Sequence, residues 1–270
     1  MRNQRFFISS MLYGLVVGCM LLLLASLTSC QSEIVSKDPL LQLRFSHDSL
    51  FFDTVFTKMG SSTKRMMVYN PNKNALLIDR VTMANGKSFF INLDGENQLE
   101  NLRDITLRGG DSLFLFVRAE IDPLKVNNPV LVEDTISFYV GGNQQQIYLQ
   151  AYGQDVHVLT SKEKFMQHNT YSFKNDKPYL IYDTMVVKGD LTIQKGATLY
   201  MHTGAMIYAY GNVLAKGTLE EPIVIRGDRM DMLFDSVPYR VASGQWNGLY
   251  LIHLAGRPTP TYLFPEAYPG

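Results

Sequence analysis

The side chains best spaced to do chemistry lie late in this 270-residue chain, where Asp228, Arg229, Asp231 and Asp235 fall within one short stretch. Carboxylates beside a guanidinium can grip a polar ligand, or do acid–base work where burial shifts their pKa values. A solvated acidic turn explains the same residues and is the reading expected here. Tyr200, Tyr208 and Tyr210 offer rings on which a sugar could stack. Alternation along a strand sends at least one of them inward. Together Asp228, Arg229, Asp231, Tyr200 and Tyr208 make a candidate ligand face. The five histidines, at 47, 157, 168, 202 and 253, show no His-x-x-x-His pair and no ligand spacing, so neither a metal nor another cofactor is expected. A Gly-x-Ser-x-Gly elbow and a phosphate-cradling loop are both missing from the sequence. No catalytic residue is expected.

Charge narrows the partners. The chain carries 25 basic and 25 acidic residues. Without Arg2 and Arg5, which belong to the leader described next, 23 stand against 25, a formal charge of −2. Bulk charge therefore draws in neither nucleic acid nor an anionic surface.

Arg2 and Arg5 precede residues 11–27, which hold no charge and no proline, and small residues follow. That order is the order of a secretory signal. Leu27-Thr28-Ser29-Cys30 resembles the lipobox of bacterial lipoproteins. The resemblance implies that a signal peptidase recognises Leu27, Thr28 and Ser29 and cuts before Cys30, whose thiol carries acyl chains into the membrane. Cys19 would leave with residues 1–29, so the mature chain keeps Cys30 alone and can form no internal disulfide. The lack of aspartate at Ser32 points, by the sorting rules of that family, to the outer membrane. Gln31-Ser32-Glu33 is similar to the export signal of Bacteroidota-type surface lipoproteins, and the side of the membrane stays open. Two competing readings are an uncleaved anchor, since 17 apolar residues sit at the lower edge of a spanning helix, and an ordinary cysteine after a signal.

The elements that must hold any site are strands. Val, Ile, Phe, Tyr and Thr are many, turns rich in Gly, Asn and Asp recur, and helical periodicity is lacking, so the chain reads as all-β. Residues 30–38 read as a tether. Residues 39–155 hold about nine short strands, the spacing of a sandwich. Val68-Tyr69-Asn70-Pro71, then Leu76-Leu77-Ile78, Phe89-Phe90-Ile91 and the late run Ile147 through Gly153 resemble Ig-like domains of the ASH type, whose usual role is scaffolding or binding. Phe51-Phe52 and Phe114-Leu115-Phe116 are expected in the core.

Residues 156–178 read as a connector. The texture then changes, with glycine opening each short apolar strand. Gly189 recurs as Gly211 after 22 residues, and Lys195-Gly196 as Lys216-Gly217 after 21, a period typical of solenoids. With Pro222-Ile223-Val224-Ile225 and Trp246-Asn247-Gly248, this stretch resembles the opening of right-handed parallel β-helix domains of secreted and lipid-anchored bacterial proteins. In that resemblance Trp246 and Gly248 pack the start of a later coil. The β-helix is expected to occupy residues 179–255 and to be incomplete, with two or three coils. Four prolines in residues 256–270 mark an irregular tail, so the chain is expected to be truncated, with a shifted frame after about His253; the alternative is a small domain whose tail covers the open end.

The expected function is a non-catalytic, lipid-anchored envelope protein that binds or scaffolds a glycan or an envelope protein. The rival expectation is a carbohydrate-active β-helix enzyme, a lyase or hydrolase, cut short before its catalytic coils.

Overall fold

The computed structural model describes residues 34–36, 38, 40–161, 165–234 and 237–264. Leu27, Thr28, Ser29, Cys30 and Asp235 lie outside the described residues. The chain is nearly all β, and among the described residues no helix is long and apolar enough to cross a membrane.

The first ten strands are β1 (Val35–Ser36), β2 (Arg44–Phe45), β3 (Ser49–Phe56), β4 (Lys64–Tyr69), β5 (Ala75–Met83), β6 (Phe89–Leu93), β7 (Arg103–Leu107), β8 (Ser112–Ala119), β9 (Val130–Val140) and β10 (Asn143–Gln154). They make two sheets. One runs β1-β5-β9-β10-β3, with β7 also on β5, and the other runs β2-β4-β8-β6. Pairing is antiparallel except for β1 on β5 and β3 on β10. Inward side chains from both sheets, Phe52, Val68, Ile78, Leu115, Phe138 and Leu149 among them, close on one core.

Period-two alternation explains which residues enter that core. Phe52 and Leu115 are buried, whereas their neighbours Phe51 and Phe114 point outward and are 48% and 41% exposed. The expectation that both Phe-rich stretches are core is thus half corrected. A strand can bury only alternate residues, and here the central leucine of Phe114-Leu115-Phe116 takes the inward place.

Buried polar groups fasten the loops. Asn70 is 1% exposed. Its Nδ2 lies within hydrogen-bond reach of the Asn74, Leu107 and Arg108 carbonyls, and its Oδ1 accepts from Asn72. The turn it holds brings Gly109 so close to the Lys73 carbonyl that a Cβ there would sit 2.0 Å from the oxygen. Asp155, where the chain leaves this unit, accepts backbone N–H bonds from Leu124 at 2.9 Å and Lys125 at 2.8 Å.

The second unit is built differently. Its strands are β11 (His157–Leu159), β12 (Phe165–His168), β13 (Tyr171–Phe173), β14 (Tyr179–Ile181), β15 (Thr184–Val187), β16 (Leu191–Ile193), β17 (Thr198–Met201), β18 (Met206–Ala209), β19 (Val213–Ala215) and β20 (Val224–Gly227). A hairpin of β21 (Met232–Phe234) and β22 (Val237–Pro238) follows, then β23 (Gly248–Leu251) and β24 (Tyr262–Leu263). Three four-stranded sheets result, β11-β14-β17-β20, β12-β15-β18-β23 and β13-β16-β19-β24, and every pair in them is parallel. Successive strands step from one sheet to the next, so three strands make a rung. Tyr179 lies beside Leu199, Met185 beside Ile207 and Leu191 beside Val213, offsets of 20, 22 and 22 residues. Alternate side chains, such as Met185, Leu191, Leu199, Met201 and Ile207, fill the space between the three sheets.

Four rungs are present among the described residues, where two or three were expected. The first comes from residues 156–178, taken as a connector, because β11, β12 and β13 carry no opening glycine to announce them. The last reaches into the tail, where Tyr262 and Leu263 pair with Val213 and Leu214. At the other end, Val35 and Ser36 of the expected tether pair with Ala75 and Leu76. Trp246 packs against the inner core, and Gly248 opens β23 at a φ of 114°.

Of the two glycine repeats, one marks a real corner. A Cβ on Gly211 would lie 2.4 Å from the Gly189 carbonyl carbon and oxygen, so two backbones stack there with no room for a side chain. Gly196 and Gly217 do not superpose. Gly196 instead donates to the Glu221 carbonyl at 2.9 Å, because the corner of residues 216–223 is longer than that of residues 194–197.

Two measurements check this fastening. Gly211→Ala should lower unfolding free energy by about 1–3 kcal/mol, the usual cost of overpacking, as read from urea denaturation. For Asp155, burial raises the carboxyl pKa but hydrogen bonds from Leu124, Lys125 and Thr57 outweigh it, and the net direction is down. A depressed folded-state pKa stabilises above the unfolded value of about 3.9 and is lost as pH falls through the folded one. Asp155→Asn should therefore flatten the fall in stability between pH 5 and lower values, and an unchanged slope would contradict the assignment.

Candidate functional site

Residues from both units surround a cleft of about 670 Å³. The first unit contributes the run Phe51–Phe56 along β3, the free edge of its sheet, together with Met59, Ser61 and Lys64. The second contributes Tyr182, His202, Thr203 and the stretch from Asp228 to Met232.

The rung geometry explains why residues so far apart in sequence meet here. Tyr182 follows β14, His202 follows β17 and Asp228 follows β20, so all three occupy the same corner of successive rungs. Each donates its backbone N–H one rung back, to the carbonyls of Leu159, Ile181 and Met201. Their side chains consequently form a column. The rings of Tyr182 and His202 lie 4.3 Å apart at 30°, and His202 Nδ1 is 2.7 Å from Asp228 Oδ2. Burial pushes the Tyr182 hydroxyl pKa up, and the nearby Asp228 charge adds to that.

Beyond Asp228 the corner swells into residues 228–247, which carry the β21–β22 hairpin. Arg229 meets Asp231 in a two-pronged pair, with Nε donating to Oδ1 at 3.0 Å and a terminal nitrogen donating to Oδ2. The guanidinium carbon also lies 3.7 Å from the Tyr239 ring centroid. Arg229 hydrogen bonding holds the Asp231 carboxyl below the ordinary range against the opposing effect of burial, with Lys64 across the cleft assisting. The same pair raises the Arg229 pKa. A planar, pre-aligned ion pair of this kind is suited to hydrogen-bonding a polyol or amide with little reorganisation.

The candidate ligand face is thereby divided. Asp228, Arg229 and Asp231 line the cleft. Tyr200 lies behind it, its ring 4.9 Å from Phe56 and 5.2 Å beneath the Arg226 guanidinium, and burial raises its hydroxyl pKa. It joins the two units rather than offering an open platform. Tyr208 is on the outer face of the middle sheet, stacked on Tyr250 at 5.0 Å and 29°. Sequence reasoning missed Tyr182 and His202 as partners of Asp228. The available signal was the 20-residue step from Tyr182 to His202, close to the coil period. Phe51, Phe56 and Lys64 carried no such signal, because only docking of the two units brings them in.

Among the described residues no three His, Cys, Asp or Glu side chains gather as a metal-ion set. Two buried polar atoms, Arg226 Nε and Gln245 Oε1, have no hydrogen-bond partner, and both lie outside the cleft lining.

No protein-family model matches the chain, and a search of the curated proteins finds no relative. Solved structures with partial likeness include a protein of unknown function from Porphyromonas gingivalis W83, with a TM-score of 0.31, 13% identity, and 46% of this chain and 50% of that one covered. A family 123 glycoside hydrolase from Clostridium perfringens has a TM-score of 0.30 and 6% identity, covering 41% of this chain and 25% of that one. The E. coli chaperone DraB has a TM-score of 0.27 and 11% identity, covering 45% and 56%. The likeness thus spans a quarter to little more than half of each of these neighbours.

Arg229→Ala should return the Asp231 carboxyl pKa upward toward its ordinary value. A carboxyl-carbon NMR titration that shows no upward change would mean the pair does not persist in solution.

Proposed function

We propose that this chain is a lipid-anchored protein of the bacterial outer membrane, in which an Ig-like sandwich carries a right-handed parallel β-helix and the two hold a ligand between them without cleaving it. The observation that carries the binding role is the cleft, whose walls come from both units and whose polar side chains are already paired and aligned. The anchor rests on Leu27-Thr28-Ser29-Cys30 after an uncharged apolar run behind Arg2 and Arg5. A diacylglycerol on Cys30 buries many methylenes at about 0.8 kcal/mol each, enough for lasting attachment when more than one chain is present. The sandwich reading is supported by two sheets closing on one core, and the β-helix reading by three parallel sheets visited in turn. A glycan or another envelope protein is the ligand in this reading.

A carbohydrate-active enzyme is the second reading, and the His202–Asp228 pair in the cleft favours it. A histidine oriented by a carboxylate is the arrangement of a general base. Binding is preferred because, of the other two carboxylates that line the cleft, Asp231 is locked to Arg229 and Asp53 is exposed on β3, without the burial that acid–base work calls for. Polysaccharide cleavage by the purified protein, abolished by Asp228→Ala, would overturn the preference.

The anchor is tested by intact mass. Expressed with its own leader, the protein should begin at Cys30 and weigh more than the bare chain by a lipid-sized increment, and Cys30→Ser should lack that increment. An unmodified wild-type chain would reject the anchor.

A further inference from the structure

The outward face of β10 reads Gln144, Gln146, Tyr148, Gln150, Tyr152, with amides and phenols alternating from Gln146 onward. Tyr148 is 56% exposed and Tyr152 39% exposed, high values for rings in the middle of a sheet. Gln150 stands between them, opposite Phe51 of β3 on one side and Glu133 of β9 on the other. Its Nε2 donates to Glu133 Oε1 at 2.7 Å. The Phe51 ring meets the Tyr152 ring edge-on, 6.0 Å apart at 80°. Phe51 also lines the cleft. A row of half-exposed rings therefore leads across the sheet and ends in the cavity between the units.

The chemistry of this row selects its occupant. Aromatic faces stack on apolar C–H faces, and primary amides offer both donors and acceptors to hydroxyl groups. The three strands β3, β9 and β10 contain not one Lys, Arg or His, whereas Asp53 and Glu133 are exposed on them. Between Tyr148 and Phe51 such a surface repels a polyanion; cations stand at its ends, Arg80 over the Tyr139 ring and, in the cleft, Lys64 and the Asp231-paired Arg229. Tyr148 and Tyr152, four residues apart on one strand, are separated by about 13 Å at roughly 3.3 Å per residue. Rings repeated along a line, with an amide between them, suit a ligand that is itself linear and repetitive.

We propose that the row from Tyr148 through Gln150 and Tyr152 to Phe51 binds a linear, uncharged polysaccharide and delivers one end of it to the cleft. This rests on the binding role proposed above and names its ligand class.

The test uses the full-length chain purified in detergent, run by native electrophoresis through gels containing dextran, mannan or mixed-linkage β-glucan, with polygalacturonate as the anionic control. At least one uncharged polysaccharide should retard the protein, and polygalacturonate should not. The double variant Tyr148→Ala/Tyr152→Ala should weaken retardation about tenfold, as expected for losing two stacking contacts. Both side chains are outward, so its melting temperature should match wild type. Gln150→Ala, which removes no ring, should weaken it less and keeps the idea testable if the double variant is unstable. Retardation by none of the three neutral polymers, or by polygalacturonate more strongly, overturns the proposal. Retardation lost in Asp228→Ala but kept in the double variant also overturns the row, while leaving the cleft as a binding site.

Discussion

Parallel backbone pairing along the axis of the second unit is the constraint on which everything else depends. Each rung is too short to bury its own side chains, and its N–H and C=O groups find partners only in the rungs above and below. Strand register rather than a constant spacing fixes the neighbours: the middle rungs pair at offsets of 20 to 22 residues and the last at 26, 42 and 49, yet every paired side chain has a set neighbour one rung away. Inward positions become columns of Met, Leu, Ile and Val. Corner positions become columns too, which is how Tyr182, His202 and Asp228 come to stand on one another. The Gly189–Gly211 corner is the steric cost of the same arrangement, a place where two backbones approach too closely for any other residue.

The first unit meets its constraints in another way. Its loops vary from two residues to ten, and buried polar side chains replace the regular ladder where it stops. Asn70 ties the carbonyls of Asn74, Leu107 and Arg108 to one amide, Asp134 caps the Asn85-Gly86 turn, and Asp155 closes the exit of β10. Asp155 matters for more than local stability, since it fixes the direction in which the chain departs toward the first rung. The cleft inherits its shape from that direction and from the contact of Phe56 with Tyr200.

What was legible in the sequence follows from how locally each feature is determined. The all-β character and the Gly189–Gly211 period depend on composition and spacing, and both could be read directly. The first rung was hidden because β11 to β13 lack the glycines that mark later ones, and the last because β24 is two residues among prolines. The inward or outward sense of Phe51 and Phe114 could not be fixed by hydrophobicity alone, since Phe-Phe and Phe-Leu-Phe fit either parity. For the site, Asp228, Arg229 and Asp231 stood out as charged neighbours. Lys64 and the edge of β3 did not, because nothing local links residues 51–64 to residues 228–232.

The corner that holds Tyr182 and His202 has one further property. It spans two residues between β14 and β15, four between β17 and β18, and twenty between β20 and β23, yet the strands on either side keep their register throughout. Length at this point is thus mechanically decoupled from the coil. A loop grafted or trimmed there would alter what faces the neighbouring sheet without disturbing the scaffold, which makes the corner the natural place for descendants of this architecture to diverge in what they recognise.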